Sequence, residues 1–556
     1  MELFFDLYGF LSVVLKAGSL ATRSALVGSA LALVLVLAPI GRVLPDGQAA
    51  LARAIGQRVL FWAGVWTLVF TFLAVVLGVV ALVGALEVSV LSALGAGFVL
   101  SGAGVMAGAL AIMALAPEGE VSPRRGWALV ALAVFTVAAA TSGAHAMARP
   151  EGRWWLLLAT FAHQMGAALW LGGLPILLLA LRAGWPASVA QAVGARYSTQ
   201  AAAGVGLIIL GLLGYWAGYI QVPDALYGTA YGAMAATKAS LTVFLLLLGA
   251  ANWWLLHRLA LAGDPAAWLP RLRRFVECEL IAGIAVFGIA ASLTSVPPSV
   301  DLPDDRASWA EVTERFTPSW PRLSSPDHAD LGIPALQSRL DEEWRQRQDG
   351  ARPQAFIPGE GFLPPRNAFD MAWSEYNHHM AGFVVLLVGI AALLDRTGRV
   401  PIARHWPLLY LLLAAFLLVR SDPEAWPMGD IPLGESLRDP EVLQHKLLSL
   451  LVVAFAVSEW FVRLRGKTGA AAFVFPLAMV LGGFLLLTHT HAIANIKEAL
   501  LVELSHLPLG VLAVVGGCAR WVELRGPGSR EARWAGWVWP LCMIGISMLL
   551  IFYRES

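Results

Sequence analysis

An all-α bundle of about fourteen membrane-spanning helices, carrying an outer cap segment, is the fold this sequence predicts, and three observations predict it. Hydrophobic residues make up 58% of the chain and charged residues only 14%, against roughly a quarter charged in a soluble domain. The apolar residues fall in runs of about 20, each long enough to cross roughly 30 Å of hydrocarbon as a helix. Basic residues cluster on alternate connections between the runs, as orientation in a membrane requires.

Taken in order, the N-terminus carries Glu2 and Asp6 where a signal peptide needs basic residues, so the first span is expected to be retained. Arg42, Arg53 and Arg58 follow that span, Arg124 and Arg125 precede the fourth, and Arg182 and Arg196 follow the fifth. Arg258, Arg271, Arg273 and Arg274 follow the seventh. The alternation continues with Arg396, Arg399 and Arg404, then Arg463, Arg465 and Lys467, then Arg520, Arg525, Arg530 and Arg533. These connections are assigned to the inside. The segment rich in Pro, Asp, Glu and Trp between the eighth and ninth runs, and the acidic stretch RSDPEAWPMGDIPLGESLRDPE, are assigned to the outside together with both termini. The resulting division is 1–140 N-terminal helices, 141–299 a first histidine-bearing membrane domain, 300–372 an outer cap or linker, and 373–556 a second histidine-bearing membrane domain.

Several function classes are excluded or weakened. A net charge of +1 argues against nucleic acid as a partner. Cys278, Cys518 and Cys542 are scattered among apolar neighbours without a CxxC pair, which argues against a disulfide framework and a thiolate metal site. The stretch RGKTGA, Arg465 to Ala470, resembles the end of a phosphate loop but lacks the earlier glycine. A nucleotide-driven motor is therefore rejected, and any transport would be downhill, ion-coupled or redox-linked.

The histidines carry the functional signal. Of eleven, eight fall in the outer half of the membrane on this topology: His145, His163, His378, His379, His445, His489, His491 and His506. His257 and His405 fall at the inner side and His328 in the outer segment. Any one alone reads as an interfacial or packing residue. Together they read as metal ligands, since imidazole binds copper, zinc and iron and several convergent imidazoles make a site. Ionisable groups inside spans are costly and mark ion or substrate paths. The neighbouring Met147, Met165, Met371 and Met380 are soft ligands suited to Cu(I) or, equally, gap-fillers. Two stretches echo each other: SGAHAMARPEGRWWLLLATFAHQMG spaces two histidines 18 residues apart, and THTHAIANIKEALLVELSHLPLG spaces its pair 15 apart. Each would place imidazoles on neighbouring helices, an arrangement able to hold a cation or a haem iron.

Three segments in order, HQMGAALWLGGL (His163 to Leu174), ALYGTAYGAMAATKASLTVFLLLLGAANWWLLHR (Ala225 to Arg258) and RLRRFVECELIAGIAVFGIAASLTSVPPS (Arg271 to Ser299), resemble the copper resistance protein D family. The shared elements are His163, Trp170, Gly172 and Gly173; Thr229, Tyr231, Gly232 and Lys238; Asn252; and Arg274 with Glu279. The resemblance spans about residues 140 to 300. It implies a protein of copper homeostasis in the bacterial inner membrane that moves copper together with a periplasmic carrier, which here would be a separate protein or absent. Read from the residues alone, Lys238 is expected to snorkel or to pair with a carboxylate, and Glu279 to offset a helix N-terminus. Three functions stay open at this level: copper transfer from periplasm to cytoplasm through the outer histidines, a redox protein holding haem b between paired histidines with quinol or copper as redox partner, and a scaffold that metallates another complex. Membrane lipid is the expected surrounding, and no nucleotide is expected.

Overall fold

The computed structural model describes residues 2–555 except 87, 117–120, 262–267, 304–305, 327–341, 343–344, 346–367, 423–424, 467–468 and 489–496. His328, Lys467, His489, His491 and most of the outer cap segment lie outside the described residues. Fourteen described helices are long and apolar enough to span a membrane. They are α1 (Leu7–Gly41), α2 (Asp46–Leu86), α3 (Gly97–Leu115), α4 (Pro123–Thr141), α5 (Arg153–Arg182), α6 (Ala187–Ile220), α7 (Ala230–Arg258), α8 (Leu269–Leu293), α9 (Ala368–Thr397), α10 (Pro401–Arg420), α11 (Glu441–Arg465), α12 (Ala470–Leu487), α13 (Leu500–Arg525) and α14 (Arg530–Ile551). Among the described residues there is no strand, only one isolated bridge between Ala425 and Ile431. A helix satisfies every backbone group within itself, which is why apolar segments that cannot count on water take this form.

The helix starts are set by local chemistry. Ser122 accepts from the Arg125 amide at 3.3 Å before α4, Asp439 accepts from Glu441 at 2.7 Å before α11, and Ser529 accepts from Ala532 at 3.1 Å before α14. Each cap supplies an acceptor for an amide that the first turn leaves orphaned. Thr229 caps α7 in the same way, taking the Gly232 amide at 3.0 Å.

The chain divides into two compact units. The first comprises Leu11–Ala225 and Lys238–Asp301; the second comprises Met1–Phe10, Leu226–Thr237 and Leu302–Ser556. In the first, α5 and α6 cross where Gly166 faces the Gly204 carbonyl and Gly204 faces the Gly166 carbonyl, so a side chain at either would strike backbone. Small residues let apolar helices approach this closely. Further along α6, Gly211 makes room for His163 and Gly214 for Ala159. At Leu171–Gly173 the helix α5 tightens to a 3-10 turn, and Gly172 there lies against the Ser24 carbonyl of α1.

The second unit repeats the device at α12 and α13, where Gly483 and Gly510 face each other's carbonyls. Its core is aromatic: Trp406, Tyr410, Phe455, Phe475 and Trp539 meet edge to face or tilted, with centroids 4.6 to 6.0 Å apart. Outside the spans, Ser308 and Glu311 form a capping box at the start of a short helix, Trp309–Phe316.

Candidate metal centre

In the second unit, helices α9 and α13 bring His378 and His506 together, 5.6 Å apart between ring centroids and nearly perpendicular. Tyr553, just past the end of α14, stacks on His378 at 4.0 Å and meets His506 edge-on at 5.8 Å. Both imidazoles are oriented by the helix that carries them. His378 Nδ1 bonds the Ser374 carbonyl at 2.8 Å, and His506 Nδ1 bonds the Val502 carbonyl at 3.0 Å, each one turn back. A carbonyl can only accept, so in each ring Nδ1 carries the hydrogen and Nε2 the lone pair.

His445 on α11 follows the same rule with a carboxylate. Its Nδ1 donates to Asp422 Oδ1 at 2.8 Å, while Asp422 Oδ2 takes Lys446 at 3.2 Å and the Ser421 hydroxyl at 2.5 Å. Burial alone would raise the Asp422 carboxyl, but the His445 hydrogen bond, Ser421 and Lys446 hold it below the usual carboxylate range. His445 is close enough to His378 for their charges to interact. Three imidazoles thus have Nδ1 tied to an oxygen, the kind of contact that orients metal-binding histidines. Among the described residues no three His, Cys, Asp or Glu side chains already converge on one point. The close unit is the His378 and His506 pair.

His379, next in sequence, does something different. Its Nδ1 accepts the Arg322 amide at 2.7 Å and its Nε2 donates to the Tyr553 carbonyl at 2.8 Å, with the side chain 2% exposed. Both nitrogens are committed to backbone, and the ring fastens the 322 and 553 segments to α9. The fully buried Glu503 lies one turn before His506 on α13. Sequence inspection for histidines passed it over, although a carboxylate inside an apolar run is itself a signal.

Tyr553 stands beside the pair, against both rings. The Tyr553 phenol, which burial pushes well above its usual range, stays protonated and bonds Glu555 at 3.2 Å.

The first unit places its two predicted histidines apart in function. His163 on α5 accepts from Lys238 Nζ of α7 at 3.2 Å and packs on Tyr215, centroids 5.1 Å apart. Lys238 therefore ends on an imidazole rather than reaching a carboxylate. His145 bonds the Thr294 carbonyl at 2.8 Å, beside the Arg149 to Asp301 ion pair at 2.6 Å. The structure shows no contact between His145 and His163. A second buried unit joins Trp170, Asn252 and Glu279: the Glu279 carboxylate takes Trp170 Nε1 at 3.2 Å and Asn252 Nδ2 at 2.5 Å. Glu279 lies well inside α8, which begins at Leu269. The helix-terminus role expected of it is thereby corrected, and it anchors α5, α7 and α8 instead.

At the opposite end of the second unit from His378, His445 and His506, six charges form one network. Arg520 bonds Glu459 at 2.6 Å and Glu523 at 2.7 Å, Arg396 bonds Glu523 at 2.5 Å, and Arg463 bonds Glu459 at 2.9 Å and Asp395. Three guanidinium groups meet three carboxylates, and Trp539 donates to Glu523 at 2.8 Å. Neutral as a set, the network closes the ends of α9, α11 and α13.

A helical membrane protein with an oriented imidazole pair at one end and a balanced ion network at the other is the class these features define. The family model for copper resistance protein D matches residues 191–293 of the chain. No curated protein and no solved structure matches it. That family implies a membrane function in copper resistance and homeostasis. Lys238, Asn252 and Glu279 lie within the matched stretch, and hydrogen bonds tie Lys238 and Glu279 to His163 and Trp170 of α5, before it.

Proposed function

We propose that the chain receives copper at the periplasmic face of a bacterial inner membrane and passes it toward the cytoplasm, with His378 and His506 as the receiving pair and His445 as an adjacent ligand. The single observation that carries this reading is the His378 and His506 geometry. Two imidazoles on different helices lie 5.6 Å apart between ring centroids, with tautomers set by carbonyls so that Nε2 is the nitrogen able to ligate a soft or borderline cation. The Asp422 carboxylate puts negative charge near that end, which favours a cation. His163 is the poorer ligand of the predicted set, because a cation there must displace the Lys238 ammonium. A separate periplasmic protein delivers the copper, and both chain termini lie on that side.

The test is copper content and the optical spectrum of the purified full-length protein after loading with Cu(I). Wild type and His163→Ala should retain copper without a Soret band, and His378→Ala and His506→Ala should each bind at least about tenfold more weakly, as loss of one ligand of two requires. Copper kept by both single variants would sink the pair as the site. A Soret band would sink the copper reading in favour of haem.

A further inference from the structure

The first unit holds a feature that copper binding does not use. Helix α1 carries Lys16 and Arg23, seven residues apart and so on one face, with heads separated by about 10 Å of helix rise that two long side chains can close. Lys16 is exposed and Arg23 half-buried, and they are near enough for their charges to interact. Arg23 Nη2 donates to Gln164 Oε1 of α5 at 3.0 Å, a bond that does not use the donors of the Gln164 amide. Arg149 and Arg182 in this unit have carboxylate partners. Among the described residues Lys16 and Arg23 have none. A lysine inside an apolar span can shed its proton, but arginine cannot. A guanidinium answered by one neutral amide inside a membrane segment therefore requires a counter-anion. Bare copper ions would be repelled from the same place.

We propose that the first unit binds a phosphate group on Lys16, Arg23 and Gln164, supplied either by free phosphate or by an anionic lipid headgroup. The planar guanidinium matches two phosphate oxygens, the ammonium adds a second positive charge, and the amide is a further donor.

The experiment uses the full-length chain in phosphate-free maltoside micelles. One arm measures binding of radiolabelled inorganic phosphate by equilibrium dialysis, and the other identifies phospholipid carried through purification. Saturable phosphate binding, weakened about tenfold by Arg23→Gln and by Lys16→Gln but kept by Arg23→Lys, establishes free phosphate as the source. One phosphatidylglycerol per chain, lost in Arg23→Gln, establishes the lipid headgroup. Wild type that holds neither, or glutamine variants that hold as much as wild type, overturns the proposal and leaves the cations hydrated. Should Arg23→Gln fail gel filtration, Lys16→Gln keeps both arms readable, because its side chain is exposed and supports no packing.

Discussion

Adjacent residues show how far a residue type alone can be read. His378 and His379 look equivalent in sequence, yet helical geometry points them about 100° apart, one toward His506 and the other into the backbone of two loops. Replacing His379 by alanine leaves the Arg322 amide and the Tyr553 carbonyl without partners, at about 1–3 kcal/mol each. Thermal unfolding should therefore fall for His379→Ala, while its copper stoichiometry, measured below that temperature, should stay near wild type. His378→Ala should do the reverse, and a pair of variants that change the same property would contradict the division. The histidines stand out as a group in the sequence because eight fall on one side of the topology that the charges predict. Which of them share a partner was not legible, since His378 and His506 are joined only by folding. Glu279 was misread because its role depended on where α8 begins, and the composition around Pro270 leaves that start open by several residues. Lys238 was misread for a related reason: its partner is an imidazole 75 residues away.

At the scale of elements, position within the unit comes from glycine. The α12 and α13 helices touch through Gly483 and Gly510, and His506 is one turn before that contact. Gly510→Leu puts a side chain against the Gly483 carbonyl, which must move by more than a rotamer change permits. The expected outcome is a protein still inserted and helical by circular dichroism, with copper affinity reduced about as much as in His506→Ala and the first-unit His163 to Lys238 contact unaffected. Full copper binding in Gly510→Leu would mean that the pair tolerates helix displacement and is not a pre-set site. The spans themselves were readable, fourteen expected and fourteen found among the described residues, because length and apolarity decide them. The ion network at the far end was not: Arg396, Arg463 and Arg520 read as loop charges, and only the fold shows them locked to Asp395, Glu459 and Glu523. Arg520→Gln should be strongly destabilising, by about 3–5 kcal/mol, since it leaves the fully buried Glu459 short of its countercharge. A denaturation midpoint equal to wild type would show that water already screens that network.

For the whole molecule, the question is which way the histidine end faces. Along α9 the distance from His378 to Arg396 is 18 residues, or about 27 Å, close to the thickness of the hydrocarbon layer. The second unit therefore has one end marked by imidazoles and another marked by arginines, with a membrane's width between them. Positive charge is retained on the cytoplasmic side during insertion, so the arginine end should be inside and the imidazole end in the periplasm. Cysteine labelling decides this directly, because Cys278, Cys518 and Cys542 are all buried and give little background. Trp320, 96% exposed and two residues before the Arg322 amide that holds His379, marks the histidine end; exposed Arg399 marks the other. In intact spheroplasts a membrane-impermeant maleimide should modify Trp320→Cys, and should modify Arg399→Cys only after permeabilisation. The opposite pattern would place the receiving pair in the cytoplasm. The same imidazoles would then load copper for export, and the direction of transfer proposed above would have to be reversed.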